Sequence, residues 1–184
     1  METESPLCSA LRSTSPVNGG GNAPERAQPL SSPACGGGVE SEQRELETEG
    51  ARIVSLARSW IGTPYVHQAS VKGVGCDCLG LLRGVWRELR GGEPEPPPPY
   101  SADWAEARGE ESLRDGLARH LAAIDIKDIA PGDVALFRMM ARGPAKHCAI
   151  IGDGTLIHAR QNKRVSEEAF TPAWRRKLAY AFRL

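Results

Sequence analysis

The stretch Gly75-Cys76-Asp77-Cys78-Leu79-Gly80 marks the point where a glycine-containing loop becomes a helix. Apolar residues then recur with helical spacing through Leu89, which predicts an amphipathic helix that begins at Cys78. The first N–H groups of a helix carry a partial positive charge, which favours a thiolate placed beside them. This effect supplies only about 0.3–1 kcal/mol, less than one pKa unit. A nucleophilic Cys78 therefore also needs a nearby imidazolium.

Helical patterns lie on both sides of this helix. From Glu45 onward the apolar residues form one stripe, which Gly62 and Pro64 end. Residues 93–99 are a proline-rich extended connection, and residues 113–124 predict a third helix.

The pattern changes to that of strands after Pro131-Gly132-Asp133. We predict strands at residues 134–139, 146–151, 155–160 and 178–184, joined by short loops into an antiparallel sheet. In the order of the chain, the helices come first and the sheet comes last. This order predicts an α+β domain, with the Cys78 helix packed on the sheet.

A turn signal in this sheet brings two histidines together. Gly152-Asp153-Gly154-Thr155 predicts a hairpin that pairs Ile151 with Leu156. His147 and His158 are then diagonal neighbours on one face, with Cβ atoms about 7–8 Å apart. A three-residue turn would break this register. In the predicted register, His147 can serve as the base for Cys78. His158 can then hydrogen-bond to the other ring nitrogen of His147.

Zinc is an alternative use of the same side chains. The Cys76-x-Cys78 spacing is tighter than the C-x₂₋₄-C of structural zinc sites, and His147 and Cys148 point to opposite faces of a strand. We therefore expect no metal and no cofactor. Cys76 and Cys148 are interpreted as buried structural thiols.

Composition limits the partners and the compartment. The 184 residues carry 23 basic and 23 acidic side chains, a balance that favours neither nucleic acid nor a membrane surface as partner. Five unevenly spaced cysteines do not suggest a disulfide framework, so we expect synthesis in a reducing cytoplasm. No signal-peptide pattern and no apolar run of about 18 residues is present.

Two segments differ in composition. Residues 1–46 are rich in Ser, Pro and Gly and lack apolar periodicity, which predicts disorder or an upstream start-site artefact. Residues 47–184 predict a single domain.

Several motifs agree in order and spacing, and together they resemble the NlpC family of bacterial cell-wall cysteine peptidases. The resemblance covers residues 47–184. It is carried by Gly62-Thr63-Pro64-Tyr65, Gly73-Val74-Gly75-Cys76-Asp77-Cys78-Leu79-Gly80-Leu81, Pro131-Gly132-Asp133-Val134, His147-Cys148-Ala149-Ile150 and Ile157-His158-Ala159.

The resemblance implies a papain-like fold and a catalytic triad. Cys78 would be the nucleophile, His147 the base and His158 the third member, with Tyr65 near the substrate or its oxyanion. We also predict that Asp77, beside the nucleophile, binds substrate. The implied reaction is hydrolysis of peptidoglycan stem peptides between γ-D-glutamate and a diamino acid.

One departure from the family motif points to a particular branch. The commoner motif D-C-S-G is replaced here by Asp77-Cys78-Leu79-Gly80, so contacts made by that serine do not carry over. This form resembles the branch found in phage tails and gene transfer agents. We therefore expect an association with phage-like tail proteins, in a particle that carries the enzyme to the cell wall without a signal peptide.

Three other functions were weighed. A related amidase of the CHAP group would cut elsewhere in the peptide or at its sugar junction. A catalytically silent tail-hub component would only bind the wall or assist assembly. Papain-like lipid acyltransferases usually place the histidine before the cysteine, which is the reverse of the order here.

Overall fold

A computed structural model of the protein describes residues 37–100 and 110–184. The helices are α1 (Gly37–Arg58), α2 (Cys78–Arg90), α3 (Ser112–Ala118) and α4 (Pro172–Arg175), with a 3₁₀ turn at Ile126–Asp128. The strands are β1 (Ser70–Val71), β2 (Gly75–Cys76), β3 (Ala122–Ile124), β4 (Val134–Arg138), β5 (Ala145–Ile151), β6 (Thr155–His158), β7 (Ser166–Ala169) and β8 (Leu178–Arg183). No helix within these ranges is both long and apolar enough to cross a membrane.

The main sheet has six strands in the order β3-β8-β4-β5-β6-β7, and all its pairs are antiparallel. Strands β1 and β2 form a separate small hairpin just before α2. The predicted α+β class, with helices followed by an antiparallel sheet, is confirmed.

The two faces of the sheet bury different clusters. Cys148, Ile150 and Ile157 lie in a core shared with α1 and α2, as predicted for that face. Ala149, Ile151 and Leu156 lie in a second cluster with Phe137 and Phe170. Strand residues alternate between faces, so the sheet separates the two clusters along β5.

Helix α2 packs closely on α1. A Cβ atom added at Gly84 would lie 2.0 Å from the ring of Trp60, so only glycine allows this approach. Trp60 is 2% exposed and donates a hydrogen bond from Nε1 to Glu88 of α2 at 2.9 Å. This packing holds the start of α2 against the sheet.

The hairpin register is the predicted one, but its extent is shorter. Ile151 pairs with Leu156 and Ile150 with Ile157, where the pairing of β5 with β6 ends. Beyond that point the N–H groups of β5 that face β6 have no ladder partner on that strand. This gap lies beside α2.

Three boundaries differ from the predictions. Residues 37–46, which lie in the segment predicted to be disordered, belong to α1. The remainder of the predicted disordered segment lies outside the described residues. The predicted third helix ends at Ala118, and Ile124 instead belongs to β3, which pairs with β8. Strand β7 was not predicted, since its sequence Ser166–Ala169 is largely charged.

Candidate active site

Asp77 fixes the start of α2. Its carboxylate accepts a hydrogen bond from the Gly80 N–H at 2.7 Å, the geometry of a helix N-cap. The helix begins with Cys78, as predicted. The nucleophile candidate therefore occupies the first position of the helix, where backbone N–H groups have no intrahelical acceptor.

Gly80 lets the preceding loop approach the helix. A Cβ atom at this position would lie 1.9 Å from the Ala69 carbonyl oxygen. Ser70 donates from Oγ to the Gly80 carbonyl at 2.5 Å, and the Asp77 N–H donates to Ala69 at 3.3 Å. These contacts hold the loop against the first turn of α2.

The second carboxylate oxygen of Asp77 also bonds within the chain. It accepts from the Gln68 N–H at 2.7 Å and from the Tyr100 hydroxyl at 2.6 Å, and His67 Nδ1 lies 3.5 Å away. Asp77 is 2% exposed. The oxygens of Asp77 are thus buried and occupied by donors that organise the loop, and the substrate-binding role expected for Asp77 stays a prediction.

The sulfur of Cys78 contacts the residues at the centre of β5. A hydrogen bond from the Cys148 side chain is the largest influence and lowers the pKa of Cys78. Burial acts in the opposite direction, while the hydrogen bond and the charge of His147 and the Cys148 N–H lower it further. The net pKa lies well below the ordinary thiol value, which is the condition for a thiolate nucleophile.

Cys148 is a site residue that sequence reasoning placed only in the core. It is 1% exposed and does lie in the core shared by the helices and the sheet. Its own pKa is raised, first by its hydrogen bond to Cys78 and then by burial, so it remains a neutral donor. Its position directly after His147 was the available signal. Among the described residues, no three His, Cys, Asp or Glu side chains are grouped to hold a metal ion.

His147 and His158 form the predicted pair. His147 Nε2 lies 2.9 Å from His158 Nδ1, so Nδ1 is the His147 nitrogen available to Cys78. Burial, followed by the nearby charges of His147, Arg160 and Lys163, lowers the pKa of His158 to about 3. His158 is therefore neutral and one of its two nitrogens accepts a hydrogen bond.

Aromatic rings enclose the two histidines. Trp174 stacks on His147 with ring centroids 5.9 Å apart, and it meets His158 edge-on at 5.3 Å. Phe137 lies 6.1 Å from His147 between centroids. Trp174 comes from the short helix α4, whose role was not foreseen. These rings restrict the orientation of both imidazoles.

Two tyrosines lie near the nucleophile. Tyr65 is half-buried, and burial, together with the charges of Asp77 and Cys78, raises its pKa to about 12. Its hydroxyl is therefore a neutral donor, and its predicted place near the substrate or oxyanion stays a prediction. Tyr100 was not foreseen; its carbonyl accepts a hydrogen bond from His67 at 2.9 Å, which ties the proline-rich segment to the loop.

An apolar cavity of about 370 Å³ lies beside α2. It lies between α2, the proline-rich segment and α3, and Leu79, the residue after Cys78, lines it together with Tyr100. The segment at residues 93–100 therefore forms one wall of this cavity. Glu93 is held in that wall by Arg83, at 2.8 Å, and by Arg87.

Comparisons with known proteins agree with this geometry. The model of the NlpC/P60 family matches residues 62–183. Gamma-DL-glutamyl hydrolase from Bacillus subtilis (strain 168) is 29% identical over 120 residues, or 65% of this chain and 25% of that protein. This chain thus spans about a quarter of the length of that curated relative.

Solved structures share the fold. The NlpC/p60 domain of the peptidoglycan hydrolase SagA is 26% identical, with a TM-score of 0.50 over 73% of this chain and 98% of that one. An NlpC/P60 family protein from Bacillus cereus ATCC 10987 is 24% identical, with a TM-score of 0.52 over 73% of this chain and 39% of that one. The predicted NlpC fold is confirmed. With a family match over more than half of its length, the chain belongs to the NlpC/P60 family of cysteine peptidases and cell-wall hydrolases.

Proposed function

We propose that this chain hydrolyses peptidoglycan stem peptides at the bond between γ-D-glutamate and a diamino acid. The catalytic triad is Cys78, His147 and His158. The observation that carries the proposal is the continuous contact from the Cys78 sulfur through His147 to His158 at the start of a helix. The name of the Bacillus subtilis relative, gamma-DL-glutamyl hydrolase, supports a γ-glutamyl bond as the target.

The first half of the reaction uses the thiolate. Cys78 attacks the amide carbonyl carbon, and the carbonyl oxygen becomes an oxyanion stabilised by backbone N–H groups at the start of α2. Tyr65, a neutral donor near the sulfur, is placed to assist. The His147 imidazolium donates its proton to the amine of the diamino acid, which leaves as the tetrahedral intermediate collapses to the thioester.

The second half regenerates the enzyme. His147, now neutral, removes a proton from water, which attacks the thioester carbonyl. The C–S bond breaks, the γ-glutamyl product leaves as a carboxylic acid that loses its proton to solvent, and the thiolate and imidazolium are restored. His158 holds Nε2 of His147 during both halves, so the same nitrogen, Nδ1, faces the sulfur and the leaving group.

The cavity beside Leu79 forms part of the substrate site in this proposal. Its wall at residues 93–100 is tied to the loop that positions the nucleophile. Shortening this wall is expected to raise KM. Unchanged kinetics in a shortened, folded protein would remove the wall from the substrate site.

The proposed setting is a phage or gene-transfer-agent tail, where phage-like tail proteins would be the partners. The support is the Gly75-Cys76-Asp77-Cys78-Leu79-Gly80 form of the motif, which resembles that branch of the family. The test is mass spectrometry of particles purified from producing cells. Peptides of this chain in intact particles would support the setting, and their absence from particles that contain the other tail proteins would contradict it.

The activity is tested on purified peptidoglycan under reducing conditions, with the wild-type protein and the Cys78→Ala variant. Mass spectrometry identifies the new termini of the soluble fragments. New γ-glutamyl and diamino-acid termini with the wild type alone would support the proposal. New termini at the sugar junction would favour a CHAP-like amidase, and no release by folded protein would favour a silent wall-binding component.

A further inference from the structure

The outer nitrogen of His158 faces a carboxylate that the triad does not include. His158 is fully buried, and its Nε2 lies 3.0 Å from Oε1 of Glu168 on strand β7. The N–H direction is not aligned with that oxygen, and Nε2 has no aligned hydrogen-bond partner among the described residues. A buried ring nitrogen without an acceptor is costly. Catalytic contacts are often poorly aligned before substrate binds and improve in the complex.

The same carboxylate oxygen is held by other groups. Trp174 donates from Nε1 to Glu168 Oε1 at 3.1 Å, and Arg160 Nη1 lies 3.6 Å from it. Trp174 also stacks on His147. The ring that encloses the histidine pair therefore helps to hold Oε1 against His158, while the Glu168 side chain as a whole is 34% exposed.

The proton arrangement of the triad requires an acceptor at this point. When His147 is an imidazolium, both its nitrogens carry protons, so Nε2 must donate to His158 Nδ1. Neutral His158 then has its single proton on Nε2, the nitrogen that lies 3.0 Å from Glu168 Oε1. In the other tautomer two N–H groups would face each other across 2.9 Å.

We propose that Glu168 is a positioning residue of this site, which accepts a hydrogen bond from His158 Nε2 and thereby keeps His158 Nδ1 as the acceptor for His147. The proposal rests on the triad of the proposed function. The ionisable groups facing His158 are His147, Arg160, Lys163 and Glu168. Glu168 is the acid among them and supplies the acceptor.

Two substitutions separate a hydrogen-bond acceptor from a merely space-filling side chain. Glu168→Met has a similar length and no oxygen, whereas Glu168→Gln keeps an oxygen that can accept from both His158 and Trp174. The substrate-independent measurement is alkylation of Cys78 by iodoacetamide as a function of pH, read by fragment mass spectrometry. We expect alkylation at pH 5 to fall about tenfold in Glu168→Met, one pKa unit, and to stay within about twofold in Glu168→Gln.

Glu167→Met is the matched control. Glu167 lies on the same strand but bonds to Arg58 and Thr155, so its loss is expected to leave the alkylation profile unchanged. In hydrolysis, Glu168→Met is expected to lower kcat about tenfold with little change in KM, and Glu168→Gln to restore it.

The outcomes distinguish this proposal from the proposed function. Equal alkylation profiles for the wild type and Glu168→Met overturn the role of Glu168, whatever the hydrolysis assay shows. A shifted profile in a protein that releases no peptide supports Glu168 and removes the hydrolase. If Glu168→Met does not fold, ¹⁵N NMR of the wild-type histidines decides: a proton on His158 Nε2 supports the proposal, and one on Nδ1 overturns it.

Discussion

The two halves of the site are built in different ways. The helix junction, residues 75–81, is held by hydrogen bonds between near neighbours, such as that from Gly80 to Asp77. The sheet corner, formed by His147, Cys148, His158, Glu168 and Trp174, collects side chains from β5, β6, β7 and α4. The junction places one sulfur at a helix start. The corner sets the protonation of that sulfur through contacts between residues distant in sequence.

This difference predicts different consequences of mutation. Changes at the junction should act on placement and folding, while changes at the corner should act on proton transfer and pKa. Five substitutions or titrations test that division, in order of decreasing effect.

Loss of the base has the largest expected effect. His147→Ala should lower kcat/KM for peptide release by on the order of 10³-fold or more, because a general base and the imidazolium that sustains the thiolate are both lost. Lys127→Ala, which alters an exposed side chain paired with Asp125, is the control and should leave the rate unchanged. A His147→Ala variant with a tenth of wild-type activity would contradict the assignment.

A methyl group at the junction should mainly reduce stability. Gly80→Ala places a Cβ atom 1.9 Å from the Ala69 carbonyl oxygen, and we expect about 3 kcal/mol of lost unfolding free energy in urea titrations. Gly116→Ala in α3 is the matched control, since its nearest neighbour would be Arg119 at 3.9 Å. Gly116→Ala should leave the free energy of unfolding unchanged or raise it. Equal stabilities of the two variants would mean that the junction is not closely packed.

Loss of the third triad member should be less severe than loss of the base. His158→Ala is expected to lower kcat on the order of 10²-fold, because water can still accept from His147 Nε2 but does not fix the ring. Single-turnover kinetics of stem-peptide cleavage would measure this loss of rate. A loss as large as that of His147→Ala would indicate that His158 does more than orient the base.

Removal of the second thiol should shift the pH profile. Cys148→Ala deletes a hydrogen bond that lowers the pKa of Cys78, so that pKa should rise by about one unit. The acid limb of kcat/KM then moves to higher pH. Cys76→Ala is the control, because Cys76 has its pKa raised to about 12 by burial and stays neutral. Identical acid limbs for the wild type and Cys148→Ala would remove Cys148 from the site.

Acid should destabilise the sheet corner gradually. His158 has a pKa of about 3 in the folded protein and an ordinary value near 6.5 when unfolded. The unfolded chain therefore binds a proton first as pH falls below about 6.5, and stability drops by roughly 1 kcal/mol per pH unit toward pH 3. Guanidinium titrations from pH 7 to 4 measure the slope. The slope of unfolding free energy against pH should be smaller in His158→Gln. An unchanged slope would mean that other groups cause the loss of stability in acid.

Much of the site follows from local rules. The start of α2 at Cys78 was predictable because Asp77 is a capping residue and an apolar helical pattern follows it. The His147 and His158 pair was predictable because the turn at residues 152–155 sets the hairpin register, and strand side chains alternate with a period of two.

The parts that were not foreseen depend on distant segments. Cys148 was assigned to the core by its strand face, yet its sulfur meets Cys78 because α2 packs on that face where the β5 and β6 pairing stops. Glu168 lies on a charged strand that has no apolar alternation. Trp174 comes from a four-residue helix. The helical state of residues 37–46 leaves no apolar periodicity in the sequence.

The sequence by itself determined the α+β class, the start of α2 at Cys78 and the pairing of the two histidines. Each of these depends on capping, turn chemistry or periodicity within a few residues, and such interactions are encoded by neighbours along the chain. Only the tertiary structure decided that Asp77 is buried under four polar groups, that Cys148 donates to the nucleophile, and that Glu168 faces the second histidine. These contacts join segments tens of residues apart, so they exist only once the helices and sheet have packed around a shared core.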